Sequence, residues 1–357
     1  MIKYPFLHSL SFTYQHLSKE QRITAVQRLT ALWAFCESGL GGVLHAMQMP
    51  FTGLIVGGLA VIFITLIAGF SEQRYGQVLK SLLLVLIIKA MISPYTPFPA
   101  YIAVTFQAFL GYALFYLLGI NFFSILILST VTLMESAVQK LLILTLFFGR
   151  SFWKATDELF NFITGQFNLH TTNGSHWIIS LYLLIYFVFG VGIAWLTYTI
   201  IKAYTVKSKF PELNEQDLLK NIDPLTEKRK INIKPWILLA LLILLSVLLF
   251  VFAPNAKSGW MAVLKTLSRT IAVMLIWYML MSPLITKLIR FFLNKKRSVY
   301  GDELSNTLSL FPALKQLAVM AWQLSATHKG WNRWQYFLTA LIHWSLIYTG
   351  NPSLKKS

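Results

Sequence analysis

The stretch ALWAFCESGLGGVLHAMQMPFTGLIVGG, residues 31 to 58, decides the fold. Two apolar runs meet at Met49-Pro50, and each belongs to a segment of about 20 residues, the length a helix needs to cross a hydrocarbon core. Proline disfavours helical geometry in the residue before it, so Met49-Pro50 reads as a tight turn between antiparallel helices. Within the first run Ala34, Ser38, Gly42 and Ala46 recur every four residues. In lipid, such a line of small side chains is where another helix approaches closely. It serves either as a seam inside the bundle or as the docking face for a separate membrane subunit. The neighbouring line holds Glu37, Gly41 and His45, so a carboxyl and an imidazole project together from an apolar segment. Ionisable groups at that depth cost about 2.5 to 3.5 kcal/mol each on insertion scales, which makes them candidates for function.

The rest of the chain has the same character. Of 357 residues, 56% are hydrophobic, 15% aromatic and only 12% charged, where soluble domains carry about 25% charged residues. Mean hydropathy is +0.61. These values describe a polytopic all-α membrane helix bundle. Lys and Arg number 31 against 13 Asp and Glu, a net charge of +18. Because the basic residues flank apolar runs, the excess points to anionic membrane lipid and not to nucleic acid. Cys36 is the single cysteine, so an intrachain disulfide and a cysteine metal cluster are both excluded.

Apolar stretches place spans at about 26 to 47, 51 to 70, 77 to 93, 99 to 120, 122 to 149 and 177 to 204. They define a six-span unit over 23–204, preceded by a cytoplasmic segment, 1–22, that lacks a cleavable signal pattern. The first span then doubles as a signal anchor. Residues 205–234 form a charged linker with Pro211 and Pro224, and 235–293 holds two further spans, the first being PWILLALLILLSVLLFVFA (235 to 253). The tail, 294–357, carries Leu304, Leu308, Phe311, Leu314, Leu317, Ala321 and Leu324 at three- and four-residue spacing, an amphipathic helix restarted at Pro312. Residues 331 to 349 are rich in Trp and Tyr, which favour the bilayer interface, and form an interfacial helix or a ninth span. Lys and Arg concentrate at the start, after span two, in the long linker and after span eight, which puts the N-terminus in the cytoplasm.

Lys89 in span three and Glu135 and Lys140 in span five join Glu37 and His45 as intramembrane charges. Two carboxylates and two ammonium groups neutralise one another, either as structural ion pairs or around an outward-opening pocket for a small charged or zwitterionic molecule. Gln48 and Tyr95, in the outer turns, would cap that pocket. The third outer connection, 150 to 176, spaces Trp153, Phe160 and Phe167 seven apart, which fits a helix lying on the membrane surface. No H-E-x-x-H, P-loop or G-x-S-x-G signature is present, and His170 and His176 are too weakly arranged to indicate a metal. The sequence therefore indicates neither an enzyme nor a resident metal or cofactor.

Six N-inside spans, a small-residue face on the first helix and a short outer turn after it resemble the S component, the substrate-binding membrane subunit of energy-coupling factor transporters. The resemblance covers residues 23–204. It implies a bacterial inner-membrane subunit that binds a vitamin, metal ion or precursor and packs on a membrane coupling subunit driven by two cytoplasmic ATPases. Ala34, Ser38, Gly42 and Ala46 would form the docking face. Glu37, His45, Lys89, Glu135, Lys140, Gln48 and Tyr95 would bind substrate or couple its movement. Residues 205–357 depart from that family and lack the Ala-Arg-Gly motifs of its coupling subunit. Two other readings stand beside this one: a non-transporting scaffold or assembly subunit of a larger membrane complex, and a membrane enzyme using Glu37 or Glu135 as acid or base.

Overall fold

A computed structural model describes residues 18–46, 51–71, 75–93, 96, 98–165, 174–205, 287, 291 and 300–347. These residues contain helices and turns and no strand. The N-terminal segment up to residue 17, the linker from 206, both further spans expected over 235–293 apart from two isolated positions, Gln48 and Tyr95 lie outside the described residues.

The first helix starts earlier than its apolar run. Ser18 accepts from the Gln21 backbone N–H while the Gln21 side chain accepts from the Ser18 N–H, a reciprocal cap that begins α1 (Lys19–Phe35). Helical backbone continues through a π-turn (Cys36–Leu40) into α2 (Gly41–Ala46). Helices α3 (Thr52–Phe70), α4 (Gly76–Ile92), α5 (Phe98–Leu118) and α6 (Phe122–Phe148) follow. Between α5 and α6 the chain reverses in three residues: Gly119 takes a φ of 67°, and Asn121 caps α6 through the Ser124 N–H. Glycine adopts that left-handed geometry without a Cβ penalty. Gly149, with a φ of 69°, ends α6 and starts the amphipathic α7 (Arg150–Gly165), the helix that the Trp153 and Phe160 spacing predicts. Phe167 lies outside the described residues. Helix α8 (Gly174–Thr205) returns along α6.

Among the described residues, four helices are long and apolar enough to cross a membrane: Thr52–Phe70, Phe98–Leu118, Phe122–Phe148 and Gly174–Lys202. The protein is therefore a membrane-embedded helix bundle. Helix α3 is its axis, with 78% of its apolar window buried against 17% for α6 and α8, whose Leu142, Leu146, Leu181 and Val188 face outward. Close approach is made by glycine. A Cβ on Gly190 of α8 would come within 2.9 Å of the Thr130 Cα of α6, and Ser129 donates to the Gly190 carbonyl at 2.7 Å. On the axis, Gly58 receives Ile193, while Gly111 of α5 leaves room for Ile64.

The tail forms α9 (Gly301–Ser309), α10 (Phe311–Leu324), with Pro312 in its first turn as expected, and α11 (Gly330–Ile347). All three pack on α1. Phe311 meets Phe35 edge-on at 5.4 Å, and Arg28 of α1 donates to the Ser345 and Leu346 carbonyls at the end of α11. Arg28, which the charge distribution counts as a topology signal, thus satisfies carbonyls that have no partner within their own helix. With α3 and α4 on one side and α9 to α11 on the other, Leu29 to Ala34 are all buried.

Candidate functional site

The π-turn is the first departure from regular helix, and it carries Glu37. Such insertions recur at functional sites because they widen the turn and re-aim its side chains. Glu37 Oε2 accepts from Lys89 Nζ of α4 at 2.7 Å, with both side chains no more than 4% exposed. Lys89 also lies 5.8 Å from the centre of the Tyr101 ring at the start of α5. The sequence expectation that acids and bases of different spans neutralise one another is met for this pair.

Glu135 and Lys140 are not part of it. Both belong to α6, which packs on α3, α5, α7 and α8. Lys140 is exposed, and Glu135 is half-buried with Oε2 unpartnered. The charged residues expected around one pocket between spans one, three and five are therefore separated, with Glu37 and Lys89 in one place and Glu135 in another. His45 belongs to α2, but its side chain is outside the described residues.

Glu135 has company that sequence reading did not single out. Gln107 of α5, 3% exposed, and Thr132 of α6, fully buried, both reach Gly57 of α3. A Cβ at Gly57 would be 3.5 Å from Gln107 Nε2 and 3.7 Å from the Thr132 methyl. Gln107 Oε1 and Thr132 Oγ1 are buried without a hydrogen-bond partner, as is Glu135 Oε2, three residues along α6 and so on the same face. Burying an unsatisfied polar atom costs about 1 to 3 kcal/mol, so three of them along one seam call for a partner. The sequence marks one member only: Gln107 is the lone amide in the apolar run from 98 to 118.

The small-residue line is used within the chain as far as it is described. Ala34 and Ser38 are buried, and a Cβ on Gly42 would be 3.2 Å from Ser93 Oγ at the end of α4. The side chain of Ala46 lies outside the described residues.

At the far end of the bundle, where α1 begins, a cavity of about 280 Å³ opens between α1, α4, α9 and the end of α3. Lys19, Arg22, Lys80 and Glu303 contribute its charges. Buried Thr30 and Ser81 lie deeper and share a hydrogen bond of 2.7 Å. No group of three or more His, Cys, Asp or Glu among the described residues is arranged to hold a metal ion.

No protein-family model, curated protein or solved structure matches this chain.

Proposed function

We propose that this protein is a small-solute uptake subunit of the cytoplasmic membrane, similar in plan to an S component, with its solute held against the α3, α5 and α6 seam. The observation that carries this reading is the set of buried, unpartnered oxygens on Gln107, Thr132 and Glu135 beside Gly57. All three can accept hydrogen bonds, and Glu135 brings negative charge. Their complement is a solute offering N–H donors and positive charge, a small amine or zwitterion. In this reading six helical stretches cross the membrane, α1 with α2, then α3, α4, α5, α6 and α8, with the N-terminus inside. Glu37 and Lys89 form the part that responds to solute, because an ion pair buried at a π-turn has two partners to lose and regain. The chain has no recognisable nucleotide site, so work driven by ATP falls to a coupling subunit and ATPases.

The test is gentle purification from native membranes, with bound small molecules and copurifying proteins identified by mass spectrometry. ATPase subunits and an amine-bearing ligand, lost in Gln107→Ala and Glu135→Ala, are the expected result. A large assembly with neither supports the second reading, a membrane scaffold. The wrapping of α1 by α9, α10 and α11 favours that alternative, because it already occupies a helix face that an S component would offer to its partner.

A further inference from the structure

We propose that the seam of Gln107, Thr132 and Glu135 binds one dehydrated monovalent cation, Na⁺, which the ammonium group of a solute displaces. The inference rests on reading that seam as a binding site and adds a second ligand to it. Thr132 gives the clearest sign. Thr30, Thr65, Thr130, Thr145 and Thr197 each turn their hydroxyl onto the carbonyl four residues back in their own helix. That local bond is the ordinary way to satisfy a threonine inside an apolar helix. Thr132 is fully buried and does not make it, so its Oγ1 has no partner. Gln107 Oε1 and Glu135 Oε2 are buried without one too.

The helices bring these groups to one stretch of the bundle. Gln139, one turn beyond Glu135, donates to the Pro99 carbonyl of α5 at 3.1 Å, so this line of α6 faces α5. The two helices run antiparallel across the reversal at Gly119. From Pro99 to Gln107 the chain advances about 12 Å, and from Gln139 back to Thr132 about 11 Å, at about 1.5 Å per residue. Gln107 and Thr132 therefore stand at one level, and Glu135 falls between that level and the Gln139 contact. Gly57 of α3 closes the third side: a Cβ there would meet Leu133 Cδ2 at 3.3 Å, Gln107 Nε2 at 3.5 Å and the Thr132 methyl at 3.7 Å. With α3 packed this closely, what reaches both oxygens at that depth is about the size of one atom.

One carboxylate with two neutral oxygens sets the charge of the ligand. Lys89 is engaged by Glu37, while Lys140 is exposed and, five residues on, lies about 140° round α6 from Glu135. Oxygen donors suit hard cations, and a divalent ion would leave uncompensated charge among apolar helices. A single positive charge balances the site. An ammonium group brings the same charge to the same oxygens, so the two ligands exclude each other.

The experiment uses the full chain in maltoside micelles, with radiolabelled Na⁺ as the probe and N-methylglucamine chloride holding the ionic strength. One equivalent of Na⁺ should bind per chain and raise the unfolding temperature. Glu135→Gln should weaken binding at least about tenfold and Thr132→Val about fivefold, as expected for loss of a charged and a neutral contact. Without Na⁺, Thr132→Val should be at least as stable as the wild type, because it deletes an unsatisfied hydroxyl, yet it should lose most of the gain that Na⁺ gives. Misfolding cannot produce that pair of results. Methylammonium should displace the label; label that stays bound overturns the exchange. No saturable Na⁺ binding, or equal binding by the wild type, Thr132→Val and Glu135→Gln, overturns the proposal. In that event an amine-bearing ligand that copurifies and is lost in Gln107→Ala still upholds the solute reading, whereas Na⁺ binding with no such ligand removes the solute reading and leaves the ion site.

Discussion

Replacing Glu37 by Gln removes one member of an ion pair held at 2.7 Å with neither side chain more than 4% exposed. At an effective dielectric of about 20 the attraction across that distance is about 6 kcal/mol, while desolvation costs several kcal/mol for each ion. The intact pair is thus close to neutral in net stability, and its effect becomes visible when one partner is lost. Glu37→Gln leaves the Lys89 ammonium buried, which costs about 3 to 5 kcal/mol. The Tyr101 ring, 5.8 Å away, returns only about 0.5 to 2 kcal/mol of that. Lys89→Met should be destabilised to a similar extent, because it strands the carboxylate. The double variant Glu37→Gln/Lys89→Met should come within about 1 kcal/mol of the wild type, since no buried charge remains. Unfolding in mixed micelles with increasing dodecyl sulfate, followed by tryptophan fluorescence, measures all four corners of the cycle. A loss below about 1 kcal/mol for Glu37→Gln, or a double variant as unstable as the two singles added, would refute the reasoning. Solute uptake by the double variant then separates the roles: a folded but inactive protein makes the pair functional, and unchanged uptake makes it structural.

Gly190→Leu should destabilise the bundle by about 1 to 3 kcal/mol, because its Cβ meets the backbone of Thr130, whereas Gly76→Ala, with nothing within 4 Å, should stay within about 0.5 kcal/mol. The same detergent titration checks both. Arg28→Met removes the charged donor to the Ser345 and Leu346 carbonyls and should cost about 1.5 to 3 kcal/mol, with hydrogen exchange rising over 330–347 before it rises in α3. Asp157 of α7 accepts from the Ser175 N–H at 2.6 Å, and that hydrogen bond holds its carboxyl below the usual carboxylate range. A depressed value in the folded state means that the cap is in place above the unfolded value of about 3.9 and is lost as pH falls through the lower folded value. Exchange at the start of α8 should therefore rise below about pH 4, and Asp157→Asn should remove most of that pH dependence.

Helix limits in the membrane part were largely legible in the sequence. Runs placed at 51 to 70, 77 to 93, 99 to 120 and 122 to 149 end within two residues of α3, α4, α5 and α6. This accuracy has a physical cause: in lipid every backbone group needs an intrahelical partner, so a helix runs the length of its apolar stretch and stops where polar residues, proline or glycine take over. The early start of α1 was missed because Ser18 and Gln21 extend it through polar sequence by capping. Charge balance indicated that acids and bases of different spans pair, but it did not single out Glu37 with Lys89 or place Glu37 on a π-turn. A π-turn closes i→i+5 and not i→i+4, so four-residue arithmetic carried across Cys36–Leu40 no longer tracks one face. That is why the lines of Ala34 to Ala46 and of Glu37 to His45 look straighter in sequence than on the helix. The orphaned oxygens of Gln107 and Thr132 escaped for a different reason. Whether an uncharged polar residue in an apolar run finds a partner depends on which helices meet there, and the pattern along one chain does not say.

The collar around α1 has a consequence for assembly. Arg28 finds its acceptors 317 and 318 residues further along the chain. Synthesis from the N-terminus therefore delivers the buried strip of α1, Leu29 to Ala34, early and the cover of its tail-facing side last. Until α9, α10 and α11 emerge, that side must face lipid, a holding factor or a provisional neighbour, and the charged face around Arg28 lacks its final acceptors. A ribosome stalled before residue 300 would present an insertion intermediate with an open flank along its first helix, and completion of the tail would close that flank in a late, long-range step.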